Sequence, residues 1–114
     1  KQLMVEAPGT YQHSVMVAEL AEAAAERVGA DPLLARVGAL FHDVGKLRRP
    51  LYFKENQKNG ENIHDKLPPL ESAQTIIAHQ KDGVTLLMRY KNAFRSHSDC
   101  RGASWEFAYD VFLL

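Results

Sequence analysis

The sequence predicts an all-α domain. Apolar residues recur at the helical period, so that residues such as Leu34, Val37 and Phe41 share one face. Start and stop signals, among them Asp31-Pro32 and Gly29, bound these apolar stripes. Together the two observations predict helices near residues 10–28, 32–45, 69–80 and 83–91.

Length and composition limit the chain to a single small domain. It has 114 residues, and 46% of them are apolar, which allows a modest core without disulfides. Its one cysteine, Cys100, cannot form an internal disulfide and fits a reducing compartment. The 14 basic and 14 acidic residues cancel, which argues against a surface for bulk nucleic acid. We also expect no membrane segment or signal peptide in this chain, and a cytoplasmic location.

The first predicted helix begins at Thr10, its expected N-cap, and runs to about Val28. Residues 1–9 are predicted to be a short lead-in that Pro8-Gly9 interrupts. An apolar stripe lies on the same side as His13, so this histidine should point toward the core; the stripe comprises Val17, Leu20, Ala21 and Ala24. A lone histidine there is usually a hydrogen-bonded core residue, but the other candidate ligands in the chain favour metal binding.

The second predicted helix opens with Asp31 as N-cap and Pro32 at the first helical position. Leu34, Val37 and Phe41 should form its buried stripe, and Gly38 should allow a neighbouring helix to come close. The helix carries His42-Asp43 and is expected to end near Gly45.

The segment Leu40–Lys46 holds the strongest chemical signal. His42 and Asp43 stand at a predicted helix end, where the turn at Gly45 would let them converge on one ion. Nitrogen and oxygen donors suit a transition metal, and Lys46 could then meet a phosphate. The alternative is a plain helix C-terminus, with a histidine favouring the helix dipole beside an exposed acid.

The chain then turns polar. Residues 48–69 contain many turn-forming residues and predict a long loop with one short helical turn. The loop holds a second His-Asp pair, His64-Asp65, which we expect near substrate rather than on metal. Arg48 and Lys66 are either phosphate contacts or solvated charges.

Two further helices are predicted after the loop. Pro68-Pro69 opens one that runs to Gln80, with His79 near its end and an apolar face that includes Ala73, Ile76 and Ile77. Asp82-Gly83 should break the chain before the last helix.

Four segments together resemble the HD superfamily of metal-dependent phosphohydrolases: Glu6 to Ser14, His42 to Lys46, His64 to Leu67 and Ala78 to Val84. They are most similar to the cytosolic HD domain of the seven-transmembrane HD proteins, which are cyclic-di-AMP phosphodiesterases. The resemblance implies an HD-domain helical bundle over residues 1–91 that lacks its last helices, with 92–114 as a divergent tail. It also implies that the chain comes from a membrane-anchored protein.

The resemblance further implies roles for five residues. Asp43 would bridge two divalent metal ions, manganese or iron, with His13 and His42 on one and His79 on the other. Lys46 would stabilise charge on the phosphate, and the reaction would open cyclic-di-AMP to the linear dinucleotide.

The tail departs from the family pattern. Where the related domains carry a His-His pair, this chain has Ala103-Ser104, and their final aspartate would lie beyond its end. One or two ions are therefore expected, with His97, Asp99 and Asp110 as weak substitute ligands. Two alternatives stay open: an inactive HD domain that binds a nucleotide or a protein, and an HD phosphohydrolase acting on a nucleoside phosphate or a guanosine alarmone.

The lost helices would leave the stripes on helices 10–28 and 32–45 partly uncovered. We expect either aromatic residues of the tail or a second copy of the chain, as a homodimer, to cover them; these aromatic residues are Trp105, Phe107, Tyr109 and Phe112.

Overall fold

The computed structural model describes residues 1–57 and 60–96, with side chains up to residue 90, and every regular element in these ranges is helical. The α-helices are α1 (Gln2–Glu6), α2 (Pro8–Val28), α3 (Pro32–Phe41) and α4 (Pro69–Ser96). Between α3 and α4 lie short 3₁₀ helices at Val44–Arg48, Pro50–Tyr52, Lys54–Asn56 and Ile63–Lys66. These ranges contain no strand, so the prediction of an all-α fold is confirmed.

The start of α2 differs from the prediction. The helix begins at Pro8, Ala7 is its N-cap, and the expected lead-in contains α1. Pro8 is compatible with a first helical turn, because the amide hydrogen that proline lacks has no partner there anyway. Thr10 is therefore not a cap. It is fully buried within the first turn and bonds to the segment Lys54–Asn56.

The buried face of α2 also differs from the predicted stripe. Small side chains are buried, namely Thr10, Ser14, Ala18 and Ala25, whereas Leu20 is 70% exposed. His13 is itself exposed, so the expectation that it points toward the core is wrong. Small residues let α3 and the 3₁₀ helix Lys54–Asn56 approach α2 closely, and that contact decides which face is buried.

Helix α3 confirms its predicted start and ends earlier than predicted. The Asp31 carboxylate accepts a hydrogen bond of 3.0 Å from the amide of Leu34, as an N-cap does. The α-helix stops at Phe41, and a 3₁₀ helix takes over from Val44 to Arg48. Gly38, expected to allow a neighbouring helix to come close, is buried, and the described residues of the expected loop after residue 48 contain three 3₁₀ turns rather than one.

Helix α4 runs without a break from Pro69 to Ser96, so the predicted interruption at Asp82-Gly83 is wrong. A side chain at Gly45 would overlap the backbone of α4 at His79 and Gly83. Both glycines thus serve a close crossing between α4 and the 3₁₀ helix Val44–Arg48, and no turn is needed. The apolar face predicted for residues 69–80 is exposed: Ile76 is 41% and Ile77 63% accessible.

Candidate metal centre

Asp43 lies at the centre of the site, and its side chain is only 7% exposed. Its Oδ2 lies 3.2 Å from His42 Nε2, 4.0 Å from His13 Nε2 and 2.8 Å from Lys46 Nζ. Its Oδ1 lies 3.5 Å from His79 Nε2. The structure therefore brings together all five predicted site residues, and the alternative in which Asp43 is an exposed acid is wrong.

Three helices deliver these side chains. His13 comes from the second turn of α2, His42 from the end of α3 and His79 from α4. His42 keeps helical backbone angles, whereas Asp43 leaves them with φ −108° and ψ 11°. This change at Asp43, two residues before the expected turn at Gly45, lets two neighbouring side chains converge.

The ring nitrogens of two histidines are assigned by their backbone contacts. His42 Nδ1 donates to the carbonyl of Ala39 at 2.7 Å, and His79 Nδ1 donates to the carbonyl of Ile76. A carbonyl oxygen can only accept, so in each neutral ring Nε2 carries the free lone pair. Metal-binding histidines are commonly oriented in this way, with the second nitrogen donating to a backbone oxygen.

The donor set calls for a positive charge between its members. The lone pairs of His42 Nε2 and His79 Nε2 both face an ionised carboxylate, and two acceptors repel unless a proton or a cation lies between them. Without an ion, a proton on His42 can supply this positive charge, since the hydrogen bond to Asp43 is the main cause that raises the pKa of His42. Neutral imidazole and carboxylate are also the donors that divalent transition metals accept, so these residues fit a metal ion.

The two oxygens of Asp43 face different ligands. His13, His42 and Asp43 offer ligand atoms that all lie within 4.8 Å of one another, on the Oδ2 side. The His13 ring also makes an edge-to-face contact with the His42 ring at 5.5 Å. His79 lies on the Oδ1 side. This division suits a carboxylate shared between two positions, although the role of each residue as a ligand remains a prediction.

Sequence reasoning missed the residues that surround Lys46. Glu55 Oε1 accepts a hydrogen bond of 2.8 Å from Lys46 Nζ, and it also accepts one of 3.0 Å from Thr10. The buried ring of Phe53 lies 4.9 Å from Lys46 Nζ and meets the His79 ring edge-on at 5.6 Å. Phe53 and Glu55 belong to the polar stretch predicted to be a loop, where no local sequence pattern indicates a long-range contact.

Charge pairing shifts the pKa values around Lys46. Burial alone would raise the pKa of Asp43, but hydrogen bonds from His42 and Lys46 outweigh it and hold that pKa well below its usual range. Burial lowers the pKa of Lys46, yet its bonds to Asp43 and Glu55 raise it overall. The ammonium is thus stably charged.

The remaining sequence candidates lie elsewhere. His64 Nε2 bonds to the carbonyl of Tyr52 at 2.6 Å, and Asp65 accepts from Asn62 at 3.2 Å. Arg48 pairs with Asp82 at 2.8 Å, and Lys66 is exposed. The candidates His97, Asp99 and Asp110 and the aromatic residues of the tail fall outside the part of the chain that the structure describes.

Comparison with known proteins points to the same family as the sequence resemblance. The family model for the HD domain matches residues 10–108. The cyclic-di-AMP phosphodiesterase PgpH of Bacillus subtilis is 58% identical over 91 residues, which are 80% of this chain and 13% of that protein. Its Listeria monocytogenes counterpart is 54% identical over 76% of this chain and 12% of that protein. The chain thus spans about an eighth of the length of these relatives.

A solved structure is also similar. The crystal structure of the L. monocytogenes PgpH HD domain in complex with cyclic-di-AMP superimposes with a TM-score of 0.77 at 51% identity. The match covers 79% of this chain and 42% of that one. Within the described ranges, no helix has the length and apolar character needed to cross a membrane.

Proposed function

The chain belongs to the HD domain family, and on that premise we propose that it is part of a metal-dependent phosphodiesterase that hydrolyses cyclic-di-AMP. The observation that carries the proposal is the set of histidine Nε2 atoms, from α2, α3 and α4, that face one buried carboxylate. The names of the similar proteins supply the substrate class.

In this proposal four residues bind metal and Lys46 meets the phosphate. His13, His42 and Asp43 hold a divalent ion on the Oδ2 side, and His79 with Asp43 contributes to a second position on the Oδ1 side. Manganese or iron suits these donors. A bound ion supplies Lewis-acid polarisation of a phosphoryl oxygen and activation of water. Lys46 remains charged and stabilises the negative charge that develops on the phosphate.

We place the chain in the cytosolic HD domain of a membrane-anchored protein. Support comes from the resemblance to the seven-transmembrane HD proteins, and the chain covers only 13% and 12% of the relatives and 42% of the solved HD domain. Residues 1–91 form the HD part in this proposal and 92–114 are a divergent tail, although the match to the family model extends to residue 108.

The metal centre is tested by replacing its shared carboxylate. Asp43→Ala should abolish manganese retention, measured by elemental analysis after gel filtration, because it removes the oxygen donors common to both positions. Asp65→Ala, which removes an acid bonded to Asn62 outside the centre, is the control and should retain metal as the unchanged chain does. Equal retention by both variants would contradict the proposed centre.

The reaction is tested by hydrolysis assays with manganese on cyclic-di-AMP, a nucleoside monophosphate and a guanosine alarmone. Release of the linear dinucleotide from cyclic-di-AMP supports the proposal. Binding without turnover would favour an inactive nucleotide-binding domain, an alternative suggested by Ala103-Ser104 at the place of the family's His-His pair. Turnover of another nucleotide alone would point to a different HD phosphohydrolase.

A further inference from the structure

Lys46 is held between two carboxylates. Its Nζ lies 2.8 Å from Asp43 Oδ2 and 2.8 Å from Glu55 Oε1, and its side chain is only 14% exposed. One of these carboxylates belongs to the candidate metal centre. The other, Glu55, is bonded to Lys46 and Thr10 and belongs to a separate element, the 3₁₀ helix Lys54–Asn56.

Glu55 is fixed in place by helix α2. Its Oε1 accepts a second hydrogen bond from the buried hydroxyl of Thr10. The neighbouring Asn56 accepts from the Thr10 amide at 3.1 Å and donates to the Thr10 hydroxyl at 2.8 Å. Gly9 packs so closely on the Glu55 carbonyl that a side chain at position 9 would overlap it. The position of Glu55 is therefore set independently of Asp43.

A bound cation changes the balance around Lys46. The ion would compete with the ammonium for the Asp43 carboxylate, and it would also repel the ammonium directly. A lysine anchored by Asp43 alone would then turn away from the centre, since its four-carbon stem is flexible. Glu55 supplies a second anchor that the ion does not compete for.

We propose that Glu55 is a positioning residue that keeps Lys46 at the centre once a metal ion has engaged Asp43, so that the ammonium can meet a phosphate oxygen. This inference rests on the proposed metal-dependent function. It assigns Glu55 no contact with metal or substrate: Glu55 acts through Lys46.

The test measures how readily Lys46 reacts. Lysines are acylated with a succinimidyl ester, and modification of Lys46 is quantified by mass spectrometry with manganese and with a chelator. In the unchanged chain, manganese should raise the Lys46 rate only slightly, because Glu55 retains the ammonium. In Glu55→Gln, manganese should raise that rate about tenfold, the effect of losing stabilisation equal to one pKa unit. With chelator in place of manganese, Asp43 still holds the ammonium, so the Lys46 rate in Glu55→Gln should not show this rise.

Glu22→Gln is the matched control. Glu22 lies farther along α2, pairs with Arg36 of α3 and is 34% exposed, against 33% for Glu55. It should leave the reactivity of Lys46 unchanged with and without manganese. Circular dichroism and elemental analysis accompany each measurement, and Glu55→Gln should keep the helicity and the manganese content of the unchanged chain.

The outcomes separate the two claims. Manganese retention without any manganese-dependent change of Lys46 in Glu55→Gln overturns the positioning role alone. Loss of manganese or of helicity in that variant also overturns it, because Glu55 would then support the site as a whole. An unchanged chain that retains no manganese overturns the proposed function, and this inference falls with it.

Discussion

At the scale of single residues, the site depends on how each histidine ring is turned. His42 and His79 each donate from Nδ1 to a carbonyl three residues earlier, on Ala39 and Ile76. This bond uses the nitrogen nearer the backbone and directs Nε2 toward Asp43. The helix that carries each histidine therefore also fixes its tautomer, without help from another side chain.

A prediction at this scale concerns acid stability. Burial would raise the pKa of Glu55, but the bond from Lys46 outweighs it and lowers that pKa from the ordinary 4.5. A carboxylate with a lowered pKa stabilises the fold at pH values above its ordinary pKa. This stabilisation is lost as pH falls through the pKa of the folded state. The metal-free chain should therefore exceed Glu55→Gln in stability at about pH 7, and the difference should shrink as pH falls below 4.5 and through the lowered pKa of Glu55.

Urea unfolding of both chains across this pH range is the measurement. Lys1, the exposed N-cap residue of α1, offers a site for a control substitution to Gln. A stability difference between the unchanged chain and Glu55→Gln that does not vary with pH would speak against the Glu55 pairing.

At the scale of elements, the crossing of α4 over Gly45 positions His79. Because a side chain at Gly45 would overlap the α4 backbone at His79 and Gly83, Gly45→Ala must push the two elements apart. We expect a loss of about 3 kcal/mol in the free energy of unfolding, the cost of a badly overpacked contact. Manganese retention should fall as well, because His79 moves away from Asp43.

Gly60→Ala is the comparison for this prediction. Gly60 has φ of 70° and open space around its Cα, so alanine there should cost about 1 kcal/mol through backbone strain alone. Its manganese retention should not change. Chemical unfolding and elemental analysis of both variants decide the matter, and equal effects at the two positions would contradict the role of the crossing.

A second prediction at this scale concerns the start of α3. Asp31→Ala removes the acceptor for the Leu34 amide and should cost about 1 kcal/mol of stability. Asp31→Asn should cost much less, because asparagine also caps helices well. Urea unfolding measures both variants. A loss as large for asparagine as for alanine would mean that charge, and not the cap, matters at this position.

At the scale of the whole molecule, α2 and α3 carry apolar surface that the other described residues leave uncovered. Leu20 of α2 is 70% exposed and Leu33 of α3 is 65% exposed. An apolar groove of about 520 Å³ runs between these helices, with Val17, Leu34 and Ala39 among its lining residues. Uncovered surface of this kind usually acquires a partner.

This surface is therefore predicted to be covered. Either aromatic residues of the tail, Trp105 and Phe112 among them, pack on it or a second copy of the chain does. A version that ends at Lys91 should consequently self-associate more strongly than the full chain, as measured by light scattering. A soluble, cooperatively unfolding monomer from the shortened version would mean that the tail has no such role.

The sequence by itself determined the helical class, the Asp31 cap and the identity of the candidate ligands. These features are local: the cap bond spans three residues, and the apolar period is a property of one segment. The segment around His42 and Asp43 also indicated metal chemistry through its residue types alone, because two donor side chains stand next to each other at a helix end.

Only the tertiary structure decided which faces are buried and what surrounds Lys46. Leu20 is exposed although it lies on a predicted core stripe, because small residues of α2 make the contacts instead. Gly83 continues a helix where the sequence predicted a break, since it lies against Gly45 of another element. Glu55 reaches Thr10 across 45 positions of the chain. Contacts between residues so far apart in the sequence produce no periodic pattern in either segment, because they form only when folding brings the two segments together.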